Sequence, residues 1–219
     1  MSFFGNEKLF VDRIDAGRKL SEKLLHLKSE NPLILALPRG GVPVGFEVAK
    51  ALESTLDVFV VRKIGAPINP EFGIGAIAEG GVLYLDKKNI LSLGISQKDL
   101  LKVINNEEAE VQRRALLYRS GKPLSDITRR IVLLVDDGLA TGVTAKAAIK
   151  ALNLKNPKHI YFAAPVCARE TTNELKMKTA SVICVATPQD LSAIGIYYEK
   201  FEQTTDEEVV EILNKASQV

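Results

Sequence analysis

The chain has 219 residues, of which 46% are hydrophobic and 26% are charged, so it can bury a sizeable core and is not disordered as a whole. Its 29 Lys and Arg residues nearly balance its 27 Asp and Glu residues, and the net charge of +2 argues against a generic binder of polyanions. No run of 18 apolar residues occurs and the N-terminus does not resemble a signal peptide, so we expect a cytoplasmic protein that does not contact membranes.

The first half of the chain alternates apolar runs with helical patterns. In chain order, the predicted elements are a helix over 11–28, a strand over 33–37, a helix over 42–52, a strand over 58–61, two short strands within 73–85 and a helix over 96–118. Residues 62–72 contain Gly65, Pro67 and Pro70 and show no periodicity, so we predict a mobile loop there.

The second half repeats this alternation more clearly. Strands are predicted over 131–135, 160–164 and 181–185, and helices over 142–152, 169–177 and 206–215. Strands that alternate with helices favour an α/β fold with a mainly parallel sheet and right-handed crossovers.

Cysteine and histidine are too scarce for several kinds of active site. Cys167 and Cys184 lie 17 positions apart in apolar runs, which is neither a zinc nor a thioredoxin spacing, so we predict two buried, reduced thiols. His26 and His159 are the only histidines, and neither lies in a pattern that indicates catalysis.

The most informative segment runs from Ile131 to Thr144. An apolar strand delivers Asp136 and Asp137 to its carboxyl end, where adjacent side chains point to opposite faces and can have different roles. A turn rich in Gly and Thr then leads into a helix, whose free N–H groups and dipole form an anion site of phosphate size. The acids beside it suit sugar hydroxyls or hydrated Mg²⁺, so the segment indicates a phosphorylated sugar with magnesium.

Two nucleotide-binding motifs do not fit the chain. A Walker A loop requires Gly-Lys followed by Ser or Thr, and the sequence contains none. Gly73 to Ala78 formally matches the dinucleotide motif G-x-G-x-x-A, but it does not follow a predicted strand, so we interpret it as a strand with small residues.

Residues 132–144 resemble the signature of type I phosphoribosyltransferases, which bind 5-phosphoribosyl 1-diphosphate (PRPP): four aliphatic residues, two acids and a Thr-Gly-x-Thr loop. The resemblance implies that Asp136 and Asp137 contact the ribose 2′- and 3′-hydroxyls. It also implies Mg²⁺ held mainly through PRPP and water, with these acids as candidate ligands. Gly138 departs from the usual aliphatic residue, and we expect it to alter local flexibility rather than ligand class. The loop residues implied for the 5′-phosphate are Ala140, Thr141, Gly142, Val143 and Thr144.

A second segment, Leu37 to Gly41, also follows a predicted strand and precedes a helix. Glycines without side chains let a diphosphate approach the backbone, and an arginine supplies positive charge. The segment is similar to the diphosphate loop of the family, which makes Arg39, Gly40 and Gly41 the candidate residues. The resemblance also implies a non-proline cis peptide between Pro38 and Arg39.

Arg62 and Lys63 begin the predicted loop over 62–72. In the family, a mobile loop closes over the site and often brings basic residues to the leaving diphosphate. The alternative is a solvated basic pair, and the sequence does not decide between the two.

The resemblance extends over nearly the whole chain, to a poorly characterised subgroup of phosphoribosyltransferases. It implies a single domain over 1–219 with a parallel-sheet core at about 30–186 and helices on both faces. A small hood would come from the N-terminal segment and about 187–219, and a helical insertion would span about 86–120.

The implied activity is transfer of the 5-phosphoribosyl group from PRPP with Mg²⁺ to a nitrogenous base or another small amine, with release of diphosphate. A homodimer that acts in nucleotide metabolism is the expected form. Ala140 stands where enzymes for 6-oxopurines typically carry a further Asp, so these bases are disfavoured and the acceptor stays open. Tyr197, Tyr198 and Phe201 are candidates for stacking on the base, with packing inside the hood as the alternative.

The alternative function is a PRPP-sensing regulator without transferase activity, which uses the same fold to control nucleic-acid binding. The near-neutral charge gives this alternative little support, and nucleic acid is not an expected partner. The one candidate basic patch consists of Arg113, Arg114, Arg119, Lys122, Arg129 and Arg130.

Overall fold

The computed structural model describes residues 8–217, and its centre is a five-stranded parallel sheet. The strand order is β2-β1-β6-β7-β8. These strands are β1 (Leu33–Ala36), β2 (Leu56–Val58), β6 (Ile131–Val135), β7 (His159–Val166) and β8 (Ser181–Ala186).

The two central strands form because their residues are apolar without interruption. Every residue of β1 and β6 is buried, as expected for strands covered on both faces. In the parallel register Ala36 lies beside Val135, and the next backbone N–H, that of Leu37, donates to the carbonyl of Val135 at 2.8 Å. The segments that follow β1 and β6 therefore leave the sheet side by side.

Helices cover both faces of the sheet, which confirms the predicted α/β class. The helices are α1 (Arg13–Leu24), α2 (Gly41–Leu52), α3 (Lys87–Ser92), α4 (Gln97–Tyr118), α5 (Val143–Asn153), α6 (Arg169–Lys176) and α7 (Asp206–Ala216). One face carries α1 and α2 against a core that contains Ile34 and Leu133. The other carries α5 and α6 against Leu33 and Leu134, because neighbouring strand residues point to opposite faces.

A second, antiparallel sheet corrects the prediction of a loop over 62–72, whereas the mobility predicted for this segment stays a prediction. It consists of β3 (Val61–Ala66), β4 (Asn69–Ala78) and β5 (Val82–Leu85), and 62–72 is the β3–β4 hairpin. Register shifts around Gly65 interrupt the two-residue period, which is why the sequence did not show the strand. The predicted strand over 58–61 is likewise divided between β2 and β3. The short helix α3 lies within the implied helical insertion over about 86–120, although it was not predicted as a separate element.

The prediction of two reduced thiols is wrong, because Cys167 and Cys184 form a disulfide. Cys184 lies in β8 beside Ala164 of β7, and Cys167 directly follows β7, so the Cα atoms are 6.3 Å apart. Apolar runs predict burial of each cysteine but not which side chains face one another. The cysteines therefore give no support to the expected cytoplasmic location.

The first and the last parts of the described chain pack against different elements of the domain. Phe10 and Tyr198 form an isolated bridge beside α1, whereas α7 packs against α2 and α4. The predicted division into core and hood stays a prediction, and residues 1–7 of the proposed hood lie outside the described residues.

Within residues 8–217, none of the helices has the length and apolar character needed to cross a membrane.

Candidate functional site

Asp136 and Asp137 lie directly after β6, at the carboxyl edge of the sheet. The Asp136 Oδ1 accepts a hydrogen bond from the backbone N–H of Asp137 at 2.9 Å. The Asp137 Oδ2 accepts one from the Nε of Arg13 at 2.8 Å. Both acids are partly exposed, and each carboxylate has a second oxygen that these bonds do not use.

The turn from Leu37 to Gly41 meets the acids, because β1 and β6 are neighbours. A Cβ on Gly40 would overlap the carboxylate of Asp137, and one on Gly41 would lie 2.7 Å from the carbonyl oxygen of Val135. Only glycine allows this close approach of the two segments. The peptide between Pro38 and Arg39 is cis, as the resemblance implied.

The phosphate-loop candidate, residues 140–144, is held by the segment after β7. The hydroxyl of Thr171 donates to the carbonyl of Ala140 at 2.6 Å. The backbone N–H of Leu139 donates to the carbonyl of Val166, the last residue of β7, and the carbonyl of Leu139 accepts from the N–H of Ala168. Gly142 is the N-cap of α5 with a positive φ of 69°, and a Cβ there would lie 2.5 Å from Thr171. The turn therefore has one shape, and it ends at a helix N-terminus that favours an anion.

The acid pair, the phosphate-loop candidate and Ile194 line a cavity of about 170 Å³, whose other walls also come from residues 136–145. Gly138 makes room for Ile194, because a Cβ at this position would lie 2.5 Å from the Ile194 Cγ2. The departure at Gly138 therefore accommodates a side chain from the C-terminal part of the chain.

Arg13 is a site residue that the sequence analysis did not identify. Besides its bond to Asp137, it donates from Nη1 to the carbonyl of Glu202 at 2.5 Å, and its guanidinium lies 4.0 Å from the centre of the Phe201 ring. Its side chain is 12% exposed and that of Asp137 is 14% exposed, so both charges are largely shielded from water. Nothing in the sequence around Arg13 indicates Asp137 as its partner, because the two residues are 124 positions apart.

The three aromatic candidates have different surroundings. Tyr198 is 1% exposed, packs against Phe10 and Phe201, and donates its hydroxyl to the carbonyl of Asp137 at 2.7 Å. Burial therefore leaves Tyr198 no exposed face for a base. Tyr197 and Phe201 are partly exposed.

The electrostatics of the acid pair follow from its burial. Burial in the cleft raises the pKa of Asp136 well above its ordinary value, and the charge of Asp137 raises it further. Burial also raises the pKa of Asp137, while the ion pair with Arg13 lowers it. Arg13 thus favours the ionised form of the acid that it contacts.

The basic candidates have acidic or carbonyl partners. Arg39 contacts Asp206 at 3.4 Å, and Arg62 donates to Glu107 at 2.7 Å. The ammonium group of Lys63 donates to a backbone carbonyl of the same hairpin at 2.6 Å. Arg62 and Lys63 line a separate cavity of about 400 Å³ beside the hairpin, so the structure does not bring them into the cavity of the acids.

The carboxylates of the site suit a magnesium ion that is bound together with a phosphate-containing molecule. The described residues contain no group of three or more His, Cys, Asp or Glu side chains that could hold a metal by themselves. Asp136 and Asp137 offer two partly exposed carboxylates, and Mg²⁺ commonly combines one or two carboxylates with water and phosphate oxygens.

A parallel α/β sheet carries two acids and a turn that leads into a helix N-terminus at its carboxyl edge, which is where open α/β folds bind their ligands. The family model described as the phosphoribosyl transferase domain matches residues 11–199. The chain therefore belongs to the phosphoribosyltransferase family.

Individual relatives agree with this assignment. The Mycobacterium tuberculosis protein named "Putative phosphoribosyl transferase Rv0571c" is 42% identical over 209 residues, which are 95% of this chain and 47% of the relative. The chain thus spans about half the length of the curated relatives it matches. The crystal structure of TT1426 from Thermus thermophilus has 41% identity and a TM-score of 0.78, over 94% of this chain and 98% of the other.

Proposed function

We propose that the protein is a pentosyltransferase that binds PRPP with Mg²⁺ and transfers the 5-phosphoribosyl group to a small nitrogenous acceptor. The observation that carries this proposal is the meeting of two segments at one edge of the sheet. These are the glycine turn after β1 and the acid pair with its phosphate-type loop after β6.

Different residues of the site are assigned to the ribose, the 5′-phosphate and the diphosphate of PRPP. The unused carboxylate oxygens of Asp136 and Asp137 accept from the ribose hydroxyls, and the loop over 140–144 holds the 5′-phosphate at the start of α5. Arg39 and the backbone at Gly40 and Gly41 face the diphosphate. Arg62 and Lys63 are further candidates for the diphosphate if the hairpin moves.

In the proposed reaction the bond between C1 and the diphosphate oxygen breaks, and its electron pair leaves with the diphosphate. A bond from the acceptor nitrogen to C1 forms with inversion, and the proton of that nitrogen passes to water or to the departing diphosphate. Positive charge develops on the ribose, so the site must hold the ribose in place and neutralise the leaving group. Mg²⁺, when bound, supplies part of that neutralisation. The residues of this chain orient the sugar, anchor its phosphate and place a guanidinium at the leaving group.

In this proposal the acceptor is a nitrogenous base or a small amine, and 6-oxopurines are disfavoured because Ala140 supplies no carboxylate near the ring. Tyr197 and Phe201 stay candidates for stacking on it, since both are partly exposed.

Homodimer formation, a cytoplasmic location and a role in nucleotide metabolism also stay predictions. The exposed side chains of Ile68 and Phe72 at the hairpin tip offer apolar area for self-association.

The regulator alternative receives less support. Of its proposed basic patch, Arg113 and Arg114 pair with Glu110, and Arg119 pairs with Glu79. Paired arginines contribute less to binding a nucleic-acid backbone, because their charge is already neutralised.

Two measurements test the proposal. Calorimetry should show binding of PRPP with Mg²⁺ to the wild-type chain, a large loss in Asp136→Asn plus Asp137→Asn, and no loss in the control Glu30→Gln, an exposed acid before β1 at the opposite edge of the sheet. A panel of purines, pyrimidines and small amines, assayed for diphosphate release, should then identify the acceptor. Absence of PRPP binding would refute the proposal, and binding without turnover across the panel would favour the regulator.

A further inference from the structure

Arg39, the arginine proposed for the diphosphate, is paired with an acid from the far end of the chain. Its Nη1 lies 3.4 Å from the Oδ1 of Asp206, the first residue of α7. The two side chains are 22% and 18% exposed, so water screens this contact only in part. The chain therefore places a negative charge beside the cation that would receive the leaving group.

Asp206 has two further donors, and both are closer than Arg39. The hydroxyl of Tyr118 donates to its Oδ1 at 2.7 Å, and the Nη2 of Arg113 donates to its Oδ2 at 2.9 Å. Although burial opposes it, these bonds lower the pKa of Asp206 below its ordinary value. Burial and the contact with Asp206 raise the pKa of Tyr118, which keeps its phenol a hydrogen-bond donor.

Because of these two donors, Arg39 can move away from Asp206 without leaving the charge of Asp206 unpaired. If its guanidinium turns to a ligand, Asp206 keeps the hydrogen bonds from Tyr118 and Arg113. The contact of Arg39 with Asp206, at 3.4 Å, is also the longest of the three, so it is the weakest and costs the least to break.

We propose that Asp206 is a positioning residue that competes with the diphosphate group for Arg39. It holds the guanidinium while the site is empty, yields it to the diphosphate of PRPP, and takes it back as free diphosphate departs. This inference rests on the proposed function, because it requires that Arg39 contact the leaving group.

A purely structural role for Asp206 predicts something different. Asp206 lies in the first turn of α7, where Thr205 and Glu208 form a capping box and a negative charge favours the helix. If that were its whole role, removing its charge would change stability and leave the relative affinities for different ligands unchanged.

The test compares three ligands by calorimetry on the full chain: PRPP, inorganic diphosphate and ribose 5-phosphate, each with Mg²⁺. Asp206→Asn keeps the shape and the acceptor oxygen but removes the charge. We expect it to bind PRPP and diphosphate about three- to tenfold more tightly and ribose 5-phosphate unchanged. The matched control Glu207→Gln, which removes the same charge one residue away in α7, should leave all three affinities unchanged.

A second variant gives a result of opposite sign and covers the case in which Asp206→Asn fails to fold. Tyr118→Phe removes one competing donor, so Asp206 should hold Arg39 more firmly and diphosphate should bind about two- to threefold more weakly. Equal changes for all three ligands, or unchanged diphosphate binding in both variants, would overturn the inference alone. A wild-type chain that binds none of the ligands would overturn the proposed function and this inference with it.

Discussion

Replacing Arg13 by glutamine removes the charged partner of Asp137 while leaving the backbone of α1 in place. The Nε of Arg13 donates to the Asp137 Oδ2 at 2.8 Å, and the guanidinium also lies over the ring of Phe201 at 4.0 Å. In Arg13→Gln, Asp137 keeps its charge next to Asp136 without the compensating cation. We expect its carboxylate to move or to take up a proton, and either change weakens or displaces the acceptor for a ribose hydroxyl.

The magnitude follows from how far water screens the pair. Exposed ion pairs contribute about 0.2–1 kcal/mol, and breaking a fully buried pair costs about 3–5 kcal/mol. Arg13 and Asp137 are 12% and 14% exposed, so their pair lies between these limits and we expect about 2 kcal/mol of stability to be lost. For the ligand, losing one hydrogen bond to a charged group costs about 1.5–3 kcal/mol, which is roughly a tenfold or greater loss of affinity.

Calorimetry with PRPP, ribose 5-phosphate and inorganic diphosphate locates the effect. PRPP and ribose 5-phosphate should weaken equally in Arg13→Gln, diphosphate should not change, and Arg13→Lys should recover part of the loss. The control Arg18→Gln removes an arginine of the same helix that pairs with Glu47 and is 67% exposed, so ligand affinity should stay the same. Equal weakening of diphosphate, or unchanged ribose 5-phosphate binding, would refute the role given to Arg13.

Three further results are expected from thermal and acid unfolding. Gly138→Val should displace Ile194 and cost about 1–3 kcal/mol of stability, and adding Ile194→Ala should recover most of it; additive losses would contradict this packing. Hydrogen bonds from Arg113 and Arg114 lower the pKa of Glu110 from 4.5 to about 2, so its ion pairs stabilise the fold above pH 4.5 and are lost as the pH falls towards 2. Glu110→Gln should therefore flatten the acid unfolding curve in that range, and an unchanged curve would show that the pairs do not stabilise the fold. Reducing the disulfide between residues 17 apart should lower the free energy of unfolding by about 3 kcal/mol, and an unchanged unfolding midpoint would argue against the bond.

The carboxyl edge of the sheet was predictable because its determinants are local. An uninterrupted apolar run predicts a central strand, and the residues that follow such strands lie at one edge when the strands are parallel. The acids Asp136 and Asp137 and the glycines Gly40 and Gly41 were identified in this way, and the structure brings them together.

The residues that were missed act over long distances in the chain. Arg13 and Asp137 are 124 positions apart, and Arg39 and Asp206 are 167 apart. Neither periodicity nor motif spacing encodes such pairs, since any of the 29 basic residues could meet any of the 27 acids. Tyr198 shows the same limit. An aromatic side chain can stack on a base only if it is exposed, and the packing of the chain, which buries Tyr198, is not visible in the sequence.

The balanced charge of the sequence is also found locally, at the residues proposed for the diphosphate. Arg39 is paired with Asp206, and Arg62 is paired with Glu107. Helix α4 takes part in both contacts, because it contains Glu107 and also Tyr118, which donates a hydrogen bond to Asp206. Binding of a diphosphate would therefore exchange protein partners for ligand oxygens. Because each exchange breaks an existing ion pair, the net gain per arginine is smaller than for an unpaired cation. The affinity for the diphosphate group should then depend strongly on Mg²⁺, because binding through the metal ion requires no existing ion pair of the chain to be broken.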